Sequence, residues 1–333
     1  MSDLRRAPFV LFVVAAGPRC GFGHLVRAAV LADALGASRQ LVLRGPESAR
    51  HVALAFGWTV HCGPRVLSTL DPDLLVVDDP TTREGARWVR LARAARVPIV
   101  VVRDGGAAVA GASLTVDGSL VARPGDRRDR IAGPAFAILK PQTAARRARP
   151  IARDGSRVLI ALGGGAHVRR LGVAIAGEIA RRRPDLRVDI ARGFALTGTA
   201  PKLPARCRWV SAPDGLGDRL TSASVAVVAG GVTLYEACAL ATPVVAVPVV
   251  PAQRRAIAAA AQAGAALAVT ARDARRVAGD AATLVSRLLD EPSLAADVSR
   301  RARRLVDGHG ASRVSARIRS LLIPEQYRWR HAA

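Results

Sequence analysis

The stretch Gly230-Gly231-Val232-Thr233-Leu234-Tyr235-Glu236 decides the fold, because it joins a buried strand to a helix. A continuous apolar run at residues 225–229 precedes the two glycines, and a helical pattern begins at them. Short Val/Leu/Ile runs of this kind are typical of parallel strands that are covered on both faces. The stretch therefore predicts a parallel α/β sheet.

The same turn predicts a ligand site. Two glycines let the backbone approach a ligand closely, and the free N–H groups at a helix start favour an anion. Thr233 adds a hydroxyl donor, and Glu236 lies one turn further on, where a carboxylate can accept bonds from a sugar diol. This layout suits a nucleoside diphosphate, and the alternative is a strand-to-helix turn that simply needs glycine.

Apolar runs alternate with helical patterns twice along the chain, with an Arg- and Pro-rich pause at residues 142–154. The predicted strands are 9–15, 40–43, 74–77 and 98–102 before the pause, and 157–161, 186–190, 225–228 and 243–247 after it. We expect two doubly wound α/β domains of Rossmann-like type, spanning 1–145 and 155–311. A C-terminal helix at 312–330 is expected to complete the first domain. Ligands of such sheets lie at the carboxyl ends of the strands, which predicts a substrate in a cleft between the two domains.

The composition favours a small anionic substrate over nucleic acid. The net charge is +24, and Lys140 and Lys202 are the only lysines among 50 basic residues. The arginines are scattered over helical segments, and no basic stripe carries the interleaved aromatic residues that single-strand binding needs. Loose contact with an anionic membrane surface is the other use of the charge that we consider.

The cysteines and the apolar segments predict a cytoplasmic protein. Cys20, Cys62, Cys207 and Cys238 lie far apart and form no CxxC pair, which argues for a reducing compartment and against a zinc site. The apolar run after Arg5-Arg6 is short and is read as the first strand instead of a signal peptide. We expect no transmembrane segment, because glycines, prolines and Glu236 interrupt the longest apolar region.

A second glycine loop, Gly21-Phe22-Gly23-His24-Leu25-Val26-Arg27, follows the first predicted strand. No glycine stands three residues after Gly23, so the loop is not a dinucleotide fingerprint. His24 opens a helix, where the positive end of the helix dipole favours a neutral imidazole that suits a general base. The alternative is that His24 caps the helix and that Arg27 is a solvated helix residue.

The motifs G-x-G-H-x-x-R and G-G-x-T-x-x-E, in this order, resemble two-domain nucleotide-sugar enzymes of the GT-B fold. The sequence is most similar to the UDP-sugar hydrolase of pseudaminic acid biosynthesis and its spore-coat polysaccharide relatives. It next resembles the peptidoglycan N-acetylglucosaminyltransferase. The resemblance covers most of the chain and includes the segments 73–78, 133–141, 162–165 and 307–313.

The resemblance implies a role for each candidate residue. Gly230, Gly231 and Thr233 would hold the diphosphate with Gly164 nearby, on the loop that Gly163 opens. Glu236 would bind the ribose, Val210 would lie beside the uracil, and Gln253 would reach the sugar or phosphate. Gly23 would bind the substrate, and His24 and Arg27 would be the catalytic residues, with His24 activating water for an inverting attack that expels UDP. No cofactor or metal is implied, and the pair Asp78-Asp79 is read as hydrogen-bonded to a following loop in preference to a metal site.

The sequence departs from the hydrolase pattern on the sugar side. Asp79 and Pro80 replace a His-Tyr pair, Ala252 replaces an asparagine, and Gly17 to Cys20 replace acidic or serine residues before the glycine loop. We expect hydrolysis of a UDP-activated amino sugar. An inverting glycosyltransferase is the first alternative, with peripheral membrane contact in that case, and a non-catalytic nucleotide-sugar-binding protein is the second. The sugar, the acceptor and the oligomeric state stay open.

Overall fold

The computed structural model describes residues 8–18, 20–151, 153–163, 166–193, 201–212 and 214–322, without the side chains of 166 and 167. Within these ranges the chain forms two compact units. The first unit contains residues 8–17, 23–138 and 309–322. The second contains residues 139–308 and the short segment at 18 and 20–22.

The first unit is built on an eight-stranded sheet in the order β3-β2-β1-β4-β5-β6-β8-β7. All its pairings are parallel except that of β7 with β8. The strands are β1 Val10–Ala15, β2 Gln40–Arg44, β3 Thr59–His61, β4 Leu74–Asp78, β5 Ile99–Val102, β6 Leu114–Asp117, β7 Gly125–Arg127 and β8 Arg130–Ala132.

The helices of the first unit connect these strands and end with the C-terminal helix. They are α1 Gly23–Leu35, α2 Glu47–Ala55, α3 Val66–Leu70, α4 Thr82–Ala94 and α12 Gly310–Leu322, together with a 3₁₀ turn at Pro134–Phe136. Helix α12 packs on α1, where Arg319 Nη2 donates to the Ala34 carbonyl at 2.6 Å. The rest of the predicted helix, residues 323–330, lies outside the described residues.

The second unit has a fully parallel six-stranded sheet in the order β11-β10-β9-β12-β13-β14. Its strands are β9 Asp154–Ala161, β10 Arg187–Ala191, β11 Cys207–Val210, β12 Ala223–Ala229, β13 Val244–Val247 and β14 Leu267–Ala268. Its helices are α5 Pro141–Arg147, α6 Ala166–Arg182, α7 Gly217–Ser222, α8 Val232–Ala239, α9 Arg254–Gln262, α10 Ala274–Asp290 and α11 Pro292–Leu305.

Both units confirm the predicted fold class of two doubly wound, Rossmann-like domains. The central strands β1 and β12 are buried along their whole length, because helices cover both faces of each sheet. In each sheet the strand order reverses next to the first strand of the unit, β1 or β9. In such sheets ligands bind where the order reverses, at the carboxyl ends of the strands.

The predicted pause at residues 142–154 is partly helical, since α5 occupies Pro141–Arg147. Pro141 stands at the first helical position, where its missing N–H costs nothing. The helix has no apolar stripe and is held by its arginines instead. Arg146 binds Asp218, and Arg147 donates to the Ala239 carbonyl at 3.0 Å. Hydrophobic periodicity could not reveal a helix that is held by charge.

Candidate functional site

His24 and Asp78 form a hydrogen-bonded pair in the first unit. His24 Nδ1 lies 2.7 Å from Asp78 Oδ1, and the side chains expose only 13% and 3% of their surface. The sheet register brings them together, because β1 pairs with β4 and Val14 lies opposite Asp78. The loop after β1 therefore delivers the first turn of α1 to the carboxyl end of β4.

The charge state of Asp78 fixes the tautomer of His24. Burial alone would raise the pKa of Asp78, but Arg27 and His24 lower it to about 2, so the carboxylate is ionised and only accepts hydrogen bonds. Nδ1 of His24 must then carry the proton of the 2.7 Å bond. In the neutral imidazole the other nitrogen, Nε2, holds the lone pair and has no hydrogen-bond partner among the described residues.

Arg27 clamps the same carboxylate. Its Nε donates to Asp78 Oδ2 at 3.0 Å and its Nη2 donates to Oδ1 at 2.7 Å. Nη2 also lies 2.9 Å from His24 Nδ1, but two protonated nitrogens cannot bond each other, so Asp78 Oδ1 is the acceptor that both share. The geometry gives Arg27 a positioning role beside His24, and its predicted catalytic role stays a prediction.

Asp104 completes this cluster from the loop after β5. Its carboxylate, whose side chain is 51% exposed, accepts a bond from Arg27 Nη1 at 2.5 Å. Burial alone would lower the pKa of Arg27, but the charges of Asp104 and Asp78 raise it well above its ordinary value. The buried Asp117 holds the turn that follows, because its Oδ1 accepts from the Gly105 N–H at 3.0 Å. We call His24, Arg27, Asp78 and Asp104 the His24 cluster.

Asp79 has a different environment from its neighbour Asp78. It accepts from Arg44 Nε at 2.6 Å and from the backbone and hydroxyl of Thr81 at 2.8 and 2.7 Å. Burial would raise the pKa of Asp79, and these hydrogen bonds lower it below its ordinary value. The predicted bonding to the following loop is therefore found at Asp79, and Asp78 faces the His24 cluster instead.

The glycine turn before α8 has the predicted strand–turn–helix context. Gly231 is the N-cap residue of α8, and its backbone is extended. Gly230 is required for packing, since a Cβ there would lie 2.8 Å from Ile257 Cγ1 and 2.9 Å from Gln253 Cβ. This close approach brings Gln253, from the 3₁₀ turn after β13, beside the start of α8.

Gln253 and Thr233 present donors at this helix start. Gln253 Oε1 accepts from the Val249 N–H at 3.1 Å, which leaves its Nε2 amide without a hydrogen bond to the described residues. A Cβ on Gly231 would lie 3.8 Å from that Nε2. The Thr233 hydroxyl is likewise unbonded within the described ranges and is partly accessible. Two side-chain donors therefore lie near the free N–H groups of α8.

Glu236 is partly buried and has no side-chain hydrogen bond to any described residue. Burial raises the pKa of Glu236 to about 7, although the charges of Lys140 and Arg146 pull it down. An acceptor in such a position is stabilised by a ligand that supplies hydroxyl donors. We call Gly231, Thr233, Glu236 and Gln253 the Glu236 site.

Two cations of the linker region act on Glu236, and sequence reasoning missed both. Lys140 Nζ donates to the Asp214 carbonyl at 3.0 Å, beside Gly215, whose φ of 104° and missing Cβ leave room for it. Arg146 binds Asp218 through Nε at 2.5 Å and Nη2 at 2.9 Å. One signal in the sequence was Lys140 itself, a lysine in a chain whose cations are almost all arginine.

The remaining predicted residues are Gly23, Gly163, Gly164 and Val210. Gly163 follows β9 with φ 106°, a left-handed conformation that favours glycine. Gly164 lies outside the described residues. Val210 ends β11, and its carbonyl accepts from the Arg192 N–H at 3.1 Å. In the first unit, Gly23 begins α1 directly before His24.

Comparison with known proteins yields structures but no sequence family. No family model matches the chain, and no curated protein matches it. The spinosyn forosaminyltransferase SpnP is similar at a TM-score of 0.64 and 18% identity, over 95% of this chain and all of SpnP. The spinosyn rhamnosyltransferase SpnG, in complex with thymidine diphosphate, gives 0.64 and 18%, over 94% of this chain and 99% of SpnG.

A third similar structure is S. aureus MnaA with UDP, at a TM-score of 0.60 and 14% identity, over 95% of this chain and 97% of MnaA. These likenesses extend over nearly the whole chain, and they confirm the predicted GT-B-like fold. Their low identities carry no activity over to this chain. None of the helices within the described ranges combines the length and apolar character needed to cross a bilayer.

Proposed function

We propose that this chain is an inverting glycosyltransferase that uses a nucleoside diphosphate sugar, preferably a UDP-sugar, as donor. The observation that carries the proposal is the His24–Asp78 pair, in which the carboxylate holds the proton of Nδ1 and leaves the lone pair of Nε2 available. Similar folds that bear the names of transferases add support.

The proposed reaction is a single displacement. His24 Nε2 takes the proton of an acceptor hydroxyl, and the hydroxyl oxygen forms a bond to the anomeric carbon of the sugar. The bond from that carbon to the diphosphate oxygen breaks at the same time, and the nucleoside diphosphate leaves with the bonding electrons. One displacement inverts the anomeric configuration. Asp78 stabilises the imidazolium that forms, and Arg27 keeps Asp78 in place.

The Glu236 site is proposed to bind the nucleotide. The free N–H groups at the start of α8, with Thr233 and the Gln253 amide, would hold the phosphates, and Glu236 would accept from the ribose hydroxyls. Donors of this kind stabilise the negative charge that develops on a leaving diphosphate. A carboxylate that bonds both ribose hydroxyls favours UDP over thymidine diphosphate, which lacks the 2′-hydroxyl.

Hydrolysis of the sugar–diphosphate bond is the second candidate, because the loop G-F-G-H-L-V-R resembles that of the UDP-sugar hydrolase. The same base would then activate water. Asp79 weakens this candidate, since it stands where the hydrolases have a histidine and is held by Arg44 and Thr81. We therefore place transfer first, in contrast to the expectation from sequence.

The test is incubation of the full chain with a panel of UDP- and thymidine-diphosphate sugars, with and without sugar, aromatic and lipid hydroxyl acceptors. Transfer predicts a glycosylated acceptor and nucleotide release that depends on the acceptor. If free sugar forms at the same rate with and without an acceptor, the reaction is hydrolysis and not transfer. Failure of every donor, together with no binding of UDP or thymidine diphosphate, would refute both.

A further inference from the structure

A cavity of about 660 Å³ lies in the second unit, away from the Glu236 site. Its charged lining residues are Arg157, Arg187, Arg206, Arg208, Asp185 and Asp189. The volume falls within the range of about 300–1,000 Å³ that is typical of small-molecule sites. Four arginines against two aspartates leave the lining with two positive charges in excess.

Asp189 organises the floor of this cavity. Its side chain is only 2% exposed, and it accepts from Arg157 Nη1 at 3.1 Å, from Arg208 Nε at 2.7 Å and from Arg219 Nη1 at 3.2 Å. The guanidinium groups come from β9, β11 and α7 and meet on one carboxylate of β10. One buried negative charge therefore holds three positive charges at fixed positions.

The charges just outside the lining do not cancel the excess. Arg219 binds Asp189, and Asp154 binds Arg157 and Arg187, so this outer pair adds one positive and one negative charge. Arg183 and Asp290 are a second such pair, bound next to Asp185. The excess of two positive charges therefore belongs to the cavity and matches a ligand with two negative charges.

Arg206 gives a second indication of a site. It lies in the turn directly before β11 and has φ 59°, a left-handed conformation that arginine seldom adopts. Its described side-chain bond goes to the Asp185 carbonyl at 3.1 Å. A guanidinium group carries five N–H donors in a fork that fits phosphate, so most donors of Arg206 are available to a ligand.

The cavity lies at the amino ends of the strands, while nucleotides in such sheets bind at the carboxyl ends. Arg187 is the first residue of β10, and Arg208 is the second residue of β11. Arg157 lies four residues before the end of β9, which at the rise of a strand is about 13 Å from the carboxyl end where the Gly163 loop begins. A ligand here would not compete with the nucleotide.

We propose that this cavity is a second anion site, which binds a phosphate or diphosphate group separately from the donor nucleotide. The guanidinium group of Arg206 would contact the phosphoryl oxygens, together with the Nη donors of Arg208 that remain after its Nε and Nη2 bind Asp189, and Asp189 would keep Arg208 oriented. The proposal does not depend on the proposed glycosyl transfer.

Calorimetric titration with inorganic pyrophosphate tests it, on the full chain at low ionic strength. The variants are Arg206→Gln and Arg208→Gln, with Arg300→Gln on α11, an exposed arginine paired with Asp297, as the matched control. We expect a saturable component of binding that each cavity variant weakens at least about tenfold and the control leaves unchanged, beside any pyrophosphate that binds at the Glu236 site. Arg206→Gln is the cleaner variant, because it leaves the bonds of Asp189 intact. Thermal melts establish that each variant is folded.

The same titration in saturating UDP excludes pyrophosphate from the Glu236 site, and the component that the cavity variants weaken should persist. Vesicles of phosphatidylcholine with or without phosphatidic acid then show whether the phosphate belongs to a lipid headgroup or to a soluble molecule. Three results would overturn the proposal: no saturable binding of pyrophosphate, an equal loss in Arg300→Gln, or displacement by UDP of the component that the cavity variants weaken.

Discussion

The His24 cluster and the Glu236 site differ in how their carboxylates are satisfied. Asp78 is bonded to His24 and Arg27 before any ligand arrives, and the pKa of Asp78 is lowered to about 2. Glu236 has no such partner among the described residues, and burial raises the pKa of Glu236 to about 7. Under the proposed function, the first arrangement orients a base in advance, whereas the second is completed by a bound nucleotide. The two carboxylates therefore should respond differently to mutation and to pH.

Replacing the base should produce the largest effect. We expect His24→Gln to lower kcat by about a thousandfold, because the glutamine amide has no basic nitrogen to take the acceptor proton. The affinity for UDP should stay the same, because the nucleotide is assigned to the Glu236 site. Release of UDP from the donor measures kcat, and His51→Gln on α2, an exposed histidine, is the control. If His24→Gln releases UDP as fast as the wild type does, His24 is not the base.

Replacing Asp78, which holds the proposed base, should produce the second-largest effect. Asp78→Asn should lower kcat about a hundredfold, because an amide no longer fixes the proton on Nδ1. It should also lower the free energy of unfolding by about 3 kcal/mol, since buried Arg27 keeps only the exposed Asp104 as counterion. Asp79→Asn is the control, because Asp79 is also buried and arginine-bound but does not touch His24. If both variants lose the same fraction of kcat, the orienting role of Asp78 is wrong.

Glu236 should show the opposite dependence of stability on pH. The pKa of its carboxyl in the folded protein lies above the ordinary 4.5, so its contribution to stability is full below pH 4.5 and is lost as the pH rises through 7. Glu236→Gln should therefore become more stable than the wild type above pH 7, by up to about 3 kcal/mol and by less where water screens the charge. Urea unfolding of both proteins at several pH values from about 5 to about 8 measures this difference in unfolding free energy. Exposed Glu291→Gln should show no such gain, and an equal gain there would contradict the assignment.

Asp104 should give the smallest effect. Its half-exposed carboxylate bonds only one nitrogen of Arg27, so Asp104→Asn should cost less than about 1 kcal/mol of unfolding free energy. We expect kcat to fall about two- to fivefold through the looser Arg27, and Asp104→Glu to restore part of it. Steady-state kinetics and urea unfolding of both variants decide this. A loss of kcat as large as that of Asp78→Asn would make Asp104 a direct participant.

The fold could be predicted from the sequence because the central strands of the two sheets are continuous apolar runs that end at glycine turns or alternate with helical patterns. The apolar run before Gly230 and the run before the G-x-G-H loop became the buried strands β12 and β1. Strands β6 and β11 were missed because their sequences, Leu-Thr-Val-Asp and Cys-Arg-Trp-Val, include polar residues and lack the continuous apolar run of the equally short β5 and β13. Helix α5 was missed because arginine contacts hold it in place of an apolar stripe.

The site residues that stand in local sequence motifs could be predicted, whereas those that depend on contacts between distant segments could not. His24 and Glu236 stand in glycine motifs that are readable along the chain. His24 and Asp78 are 54 residues apart, and their partnership depends on the pairing of β1 with β4, while the influence of Lys140 on Glu236 depends on tertiary packing. A strand order with β4 next to β1 would have led to Asp78, because carboxyl ends of neighbouring parallel strands meet at one edge of the sheet.

Calorimetric titration with UDP, on the wild type and on Glu236→Gln at pH 6 and pH 8, tests the central claim most directly. If the ionised carboxylate of Glu236 accepts the ribose hydroxyls, wild-type affinity should rise up to about tenfold between these pH values, because binding requires deprotonation of a group with a pKa of about 7. Glu236→Gln should bind about 10- to 100-fold more weakly at pH 8 and show no change with pH. Equal UDP affinity for both proteins at both pH values, or no binding to either, would contradict the account.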